Sequence, residues 1–289
     1  MIKYNPKLWI THIFHVAKSD TLRILWKEML IMGILTTGIT YVEINFFDHI
    51  QFLTEITGVY SLVGFVLSLL LVFRTNTAYD RWWEGRKKWG EMVNNTRNLA
   101  AKVDSKIVND QSRKKFSRWI VNYPFVLKEH LRDGVKREEL LGTAEEVDQI
   151  VEASHPPTKL TSMMYKEFKT LKANGELTEE EYRIFDTNIN ALLDITGACE
   201  RIKNTPIPYS YSLFLKKFIF IYVTTLPLAF VPTFGYGTAL IAIFIFYVLV
   251  SMEVLAEEIE DPFGQDDNDL PTDDLCHKIK ANVEDLLRN

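Results

Sequence analysis

The densest set of chemistry-bearing residues in this sequence lies near its C-terminal end. There Glu257, Glu258, Glu260, Asp261, Asp266, Asp267 and Asp269 crowd hard oxygen donors into one short stretch. Such donors suit calcium, with Asp266, Asp267 and Asp269 as the candidate ligands. The spacing does not follow an EF-hand loop, however, and an acidic run behind an apolar segment is more often a solvated face. Asn268-Asp269 with Asp273-Asp274 also suggest the magnesium-diphosphate site of a membrane prenyltransferase, but that chemistry needs a second acidic motif on facing helices and a cavity for the chain. His12, His15, His49, His130, His155 and His277 are scattered without metal or triad spacing. Cys199 and Cys276 have no second Cys or His at ligand distance. Asp80-Arg81-Trp82-Trp83-Glu84 has neither an activated nucleophile nor a phosphate-cradling glycine loop, and Trp pairs of this kind anchor a chain at a membrane interface. The residue types therefore point away from an enzyme.

Phe65, Leu69 and Phe73 offer chemistry of another kind. They recur every fourth residue, so on a helix they form one stripe in which each step climbs about 6 Å. Taken alone, such a stripe packs against a neighbour or faces lipid. Gly58, Ser61, Gly64 and Ser68 place small residues elsewhere on the same segment, where other backbones can come close. If several copies assembled around an axis, each stripe residue would become an apolar ring, a constriction that gates by dewetting.

The elements that must position these residues follow from how the apolar residues are pooled. The chain has 289 residues, 47% hydrophobic and 25% charged, with a net charge of -5, which argues against disorder and against general affinity for nucleic acid. A bilayer core of roughly 30 Å takes about 20 apolar residues in a helix. Ile56 to Phe73 is free of charge, Met29 to Val42 can borrow Leu22 to Trp26 if Arg23 and Lys27 snorkel, and Phe218 to Met252 is free of charge throughout. The last run is cut by Pro227, Pro232, Gly235 and Gly237 and reads as a hairpin of two spans, giving four in all. Lys3, Lys7, Lys18, Arg23 and Lys27 precede the first span, whereas Glu43, Asp48 and Glu55 follow it without Lys or Arg, so both termini are expected on the cytoplasmic side. No secretory leader is expected at the N-terminus.

The polar insert carries helical signals and no convincing strand. A helix is expected over Arg81 to Val108 and another over Ser112 to Leu131, broken or kinked near Pro124. Ala153 to Pro157 reads as a loop, and Thr178 with Glu181 makes a capping box for a helix that ends near Thr205. The expected fold class is all-α: four transmembrane helices and a helical cytoplasmic portion. Its segments are residues 1–74 with the first two spans, 75–212 as the cytoplasmic helices, 213–256 as the transmembrane hairpin, and 257–289 as an acidic cytoplasmic tail, in one integrated fold.

Three groups of residues together resemble the bestrophin family of ion channels in its bacterial form, nearly end to end. They are Phe73-Arg74-Thr75-Asn76 with Ala78-Tyr79-Asp80-Arg81-Trp82-Trp83-Glu84-Gly85-Arg86, then Ala198-Cys199-Glu200-Arg201-Ile202 with Asn204-Thr205-Pro206-Ile207-Pro208-Tyr209-Ser210-Tyr211, and then Asp261-Pro262-Phe263-Gly264 with Asn268-Asp269-Leu270-Pro271. The resemblance implies a homopentamer in the cell inner membrane, with a central pore whose neck falls on Phe65, Leu69 and Phe73. It places an inner aperture at Ile184. Small monovalent ions would be the cargo, chloride and other anions by the habit of the family, with cation conduction left open because Phe and Leu rings dictate no sign. Animal members hold calcium in an almost unbroken acidic run; here Pro262, Phe263, Gly264 and Asn268 interrupt it, which speaks against calcium control, and no other cofactor is expected. The alternative function is a membrane-anchored scaffold that binds a cytoplasmic partner.

Overall fold

In the computed structural model, which describes residues 21–46 and 56–287, the described residues form helices and no strand. In chain order the helices are α1 (Thr21–Phe46), α2 (Thr57–Lys106), α3 (Asp110–His130), α4 (Ala144–Val151), α5 (Pro156–Ala173), α6 (Glu179–Asn204), α7 (Tyr209–Thr225), α8 (Pro227–Phe234), α9 (Gly237–Glu260) and α10 (Thr272–Leu287). Lys3, Lys7, Lys18, His12, His15, Asp48, His49 and Glu55, which enter the expected orientation or the histidine census, lie outside the described residues. The helices fall into two compact units. One takes the described residues up to Trp82 with Pro206–Pro262 and Asp266–Asp269; the other takes Trp83–Thr205, Phe263–Gln265 and the residues from Leu270 onwards.

Four stretches are long and apolar enough to cross a membrane: Thr21–Phe46, Thr57–Lys106, Glu179–Phe234 and Gly237–Glu260. The charge-free run from Ile56 becomes the start of α2, which does not stop at Arg74 but continues for 50 residues and absorbs the separate helix expected from Arg81. No proline interrupts it, so nothing removes a backbone donor along its length. Glu43, expected in the loop after the first span, instead lies within α1 and is buried. The run from Phe218 is divided among α7, α8 and α9 at the prolines and glycines that cut it. Pro227 opens α8 at a position where its missing N–H costs nothing, and the chain turns at Gly235, whose φ of +53° favours a residue without a Cβ.

The core of the first unit joins Met32 of α1, Leu67 and Leu71 of α2, Leu215, Ile219 and Val223 of α7, and Ala242 and Phe246 of α9. Hydroxyls tie the helices where the backbone would otherwise be left with one partner: Tyr60 Oη donates to Thr225 O at 2.8 Å and Tyr211 Oη to Leu70 O at 3.2 Å. Of the small residues of α2 expected to let backbones come close, Gly58, Ser61 and Ser68 are exposed, and Gly64 meets a side chain instead, a Cβ there lying 2.6 Å from Tyr222 Oη. Gly64→Ala should therefore push Tyr222 out of place and lower stability by about 1–3 kcal/mol. Thermal unfolding in detergent checks this; an unchanged midpoint would mean that Tyr222 moves aside freely.

In the second unit the aromatic rings of Phe116 (α3), Phe168 (α5) and Phe185 (α6) stack in series, with centroids 4.3 and 4.5 Å apart. The expected break at Pro124 is absent, and α3 runs through it from Asp110 to His130. Every residue from Trp119 to Glu129 is buried, so packing on all sides outweighs the lost backbone hydrogen bond. The capping box of Thr178 and Glu181 forms as expected, and an equivalent one at Thr143 and Glu146 opens α4. The loop expected over Ala153 to Pro157 gives way to helix at Pro156, because His155 caps α5: its Nδ1 accepts the Thr158 N–H at 3.1 Å.

Candidate functional site

Phe65, Leu69 and Phe73 lie on the side of α2 turned away from the core of their unit. They are 67%, 43% and 55% exposed, whereas Leu67 and Leu71 on the opposite side are fully packed. At 100° per residue, successive stripe positions advance by about 40°, so the three share one face that drifts gently along the axis. Leu62, Val66 and Val72 broaden this exposed apolar surface. The hydroxyls on the same part of the helix do not compete with it. Ser61 Oγ donates to Thr57 O at 3.0 Å, Ser68 Oγ to Gly64 O at 2.9 Å and Thr77 Oγ1 to Phe73 O at 2.9 Å. Each donor is spent on the backbone one turn earlier.

Directly after the stripe comes a polar clasp that sequence reasoning did not find. Arg74, only 1% exposed, pairs through Nη2 with Glu260 Oε2 at 2.6 Å. The other carboxylate oxygen of Glu260 accepts the Ile207 N–H at 2.5 Å, and its carbonyl accepts Arg81 Nε at 3.1 Å. Trp82 Nε1 donates to Asn268 O at 3.0 Å, and Asn268 Nδ2 reaches Glu258 Oε2 at 2.6 Å. Arg81 and Trp82 thus both bond within the protein. The one local signal was that Arg74 ends a charge-free run; its partner lies 186 residues away.

Of the candidate calcium ligands, Asp269 is buried and accepts the Asp266 N–H at 2.7 Å. That contact closes the turn upon itself and commits a carboxylate oxygen to the backbone. Asp266, Asp267 and Asp269 are not among the groups of three acidic or histidine ligands that gather within 4.8 Å in the described residues.

In the second unit Ile184 is 42% exposed beside the buried Phe185, and its carbonyl accepts Lys102 Nζ at 3.2 Å. Two clusters here had no counterpart in the spacing. Lys128, 2% exposed, meets Glu129 at 3.0 Å, Glu139 at 2.8 Å and Asp273 at 2.7 Å. Burial alone would lower the Lys128 pKa, but the hydrogen bonds from Asp273, Glu139 and Glu129 outweigh it and hold the ammonium well above its usual range. The second cluster corrects the expectation that the histidines stand apart. His130 Nε2 and His155 Nε2 each lie 2.7 Å from Glu200 Oε1, and the two rings are 4.8 Å apart between centroids. Burial would raise the Glu200 pKa, but the two histidine hydrogen bonds keep it below the ordinary carboxylate range. His130 ends α3 and His155 caps α5, and the Glu200 that both meet lies on α6, 70 and 45 residues further along the chain.

Comparison with known proteins decides the family. The profile described as Bacterial/Fungal Bestrophin protein matches residues 1–285. The chain is a bestrophin. Among relatives of this bestrophin, the voltage-dependent anion channel-forming protein sll1024 of Synechocystis sp. is 32% identical over 98% of this chain and 93% of its own. The voltage-dependent anion channel-forming protein YneE of Escherichia coli K12 is 27% identical with the same coverage of 98% and 93%. The crystal structure of a bacterial bestrophin homologue from Klebsiella pneumoniae superposes with a TM-score of 0.82 at 27% identity, covering 92% of this chain and 99% of that one. The all-helical fold with its four apolar stretches is thus the bestrophin fold, and the chain is a membrane protein of a channel family.

Proposed function

We propose that this bestrophin is a homopentameric channel of the cell inner membrane that passively conducts small monovalent anions, with both termini cytoplasmic. The observation that carries this reading is the exposed apolar stripe of Phe65, Leu69 and Phe73 on the side of α2 opposite its core. Among the described residues of one copy this large apolar face stays exposed. Around a fivefold axis it becomes three stacked rings that an ion crosses only when the neck wets. Ile184 narrows the path a second time at the inner aperture. Anions are favoured as cargo because the relatives from Synechocystis and Escherichia coli are named anion channel-forming proteins. The positive edges of the Phe rings suit them as well. Lipid contacts the remaining apolar surface of the four stretches.

Purified protein in liposomes should dissipate a chloride gradient and leave a sodium gradient largely intact. Silence towards both would favour a membrane-anchored scaffold, and sodium flux would reverse the sign of the cargo. Conduction should not require calcium, since Pro262, Phe263, Gly264 and Asn268 interrupt the acidic run. Asp266→Asn with Asp267→Asn should therefore leave chloride flux unchanged with and without calcium, and a calcium response abolished by these changes would overturn that part.

A further inference from the structure

We infer that His130, His155 and Glu200 form a binding site for one divalent transition metal ion of the zinc class. Three features of the cluster support this. Its donor atoms come from three separate places in the second unit: the end of α3, the residue capping α5, and α6. Such convergence fixes the donors relative to one another. All three lie within 4.8 Å of each other, and each imidazole Nε2 is 2.7 Å from the same carboxylate oxygen. The donors of a tetrahedral zinc ion stand about 3.3 Å apart, so each His–Glu200 pair needs to open by only about half an ångström to admit the metal.

The donor set also selects the class of ion. Two imidazoles and a carboxylate are borderline ligands, suited to zinc, cobalt, nickel or copper and poorly suited to calcium or magnesium, which take oxygen. Together they carry a single negative charge that a dication reverses locally. The side chains are 22%, 37% and 27% exposed, so the site is reachable and water can complete the coordination.

The hydrogen bonds show what metal loading displaces. His155 Nδ1 accepts the Thr158 N–H, so in the metal-free ring the proton sits on Nε2 and is donated to Glu200. When the ion binds at Nε2, that proton moves to Nδ1, where it faces the Thr158 N–H and ends the cap. Metal loading is therefore coupled to the first turn of α5. The coupling limits affinity, and it supplies a signature that an adventitious surface ion does not have.

The test is a cobalt titration of the purified full chain in detergent, followed by zinc. The inference predicts visible d–d bands that saturate at a single ion per chain and are displaced by zinc, with faster amide exchange at Thr158 in the loaded protein. His155→Asn keeps a side-chain oxygen to cap α5 but removes the imidazole, so it should fold as the parent does and lose affinity by on the order of tenfold or more. Glu200→Gln and His130→Ala should weaken binding similarly. Should His130→Ala fail to fold, His155→Asn still decides the outcome. Absence of saturable bands, or bands of unchanged affinity in His155→Asn and Glu200→Gln, would overturn the assignment. Chloride flux has no part in this readout, so the metal site and the channel reading stand or fall separately.

Discussion

Replacing Phe65, Leu69 and Phe73 together by Ala should raise chloride flux through reconstituted protein by roughly tenfold or more. In the channel proposed above, each truncation would take bulk out of one apolar ring, so the neck would widen and wet more readily. A tenfold rise corresponds to lowering the barrier by only about 1.4 kcal/mol, a modest demand on three simultaneous truncations. Because the stripe faces away from the core formed by Leu67 and Leu71, folding should survive. The measurement is initial chloride efflux per chain, with particle size checked by chromatography. Flux equal to the parent in a correctly assembled variant would remove the gate from this stripe.

The largest expected effect on stability comes from Lys128→Met. The substitution conserves volume but withdraws an ammonium from Glu129, Glu139 and Asp273, and so unlinks α3, the 3-10 turn Arg137–Glu139 and α10. Glu129 is 1% exposed and retains only Lys136 at 2.8 Å and Arg132 at 3.5 Å. Breaking a buried pair by removing one partner costs about 3–5 kcal/mol, and Lys136 places the expected loss near the lower end. Adding Glu129→Gln should recover part of it, since the uncompensated charge disappears. A variant that melts with the parent would show that the cluster contributes nothing net.

The same cluster fixes the pH range over which it acts. Burial raises the pKa of Glu129 and of Asp273, but Lys136, Lys128 and Arg132 outweigh it and hold Glu129 below its ordinary 4.5 and Asp273 below 3.8. Their contribution is complete above those values and is lost as the pH falls through the depressed folded-state values. Lys128 is held above 10.5, so its contribution is complete below that value and is lost only at still higher pH. Parent stability should therefore show a plateau from about pH 5 to 10 from this cluster and fall at the acid end. Lys128→Met should fall less steeply there.

The parts of this protein that were legible in its sequence are those whose cause is local. The stripe could be read because residues four apart share a helix face whatever surrounds them. The start of α6 could be read because Thr178 and Glu181 satisfy each other's backbone. The apolar stretches could be read because lipid and core alike exclude charge. What failed depended on distant partners. Pro124 looked like a break because propensity ignores the burial that surrounds α3. His130 and His155 looked solitary because nothing near either residue announces Glu200. Nothing near Arg74 or Lys128 in the sequence announces their partners Glu260 and Asp273, which lie 186 and 145 residues along the chain. Ile184 was placed by likeness to a family and not by spacing, and its exposure leaves it available for an aperture.

Thiol accessibility at the stripe tests the central claim most directly. Cys199 and Cys276 are both buried, and burial pushes the Cys199 thiol up to about 12, so the native background reaction should be low. In liposomes, Phe65→Cys should react with a water-soluble cationic or anionic thiol reagent, and the adduct should block chloride flux. Mild oxidation should link neighbouring copies through this position. If the introduced thiol reacts only with lipid-soluble reagents while flux continues unimpeded, the stripe faces acyl chains and the shared apolar throat does not exist.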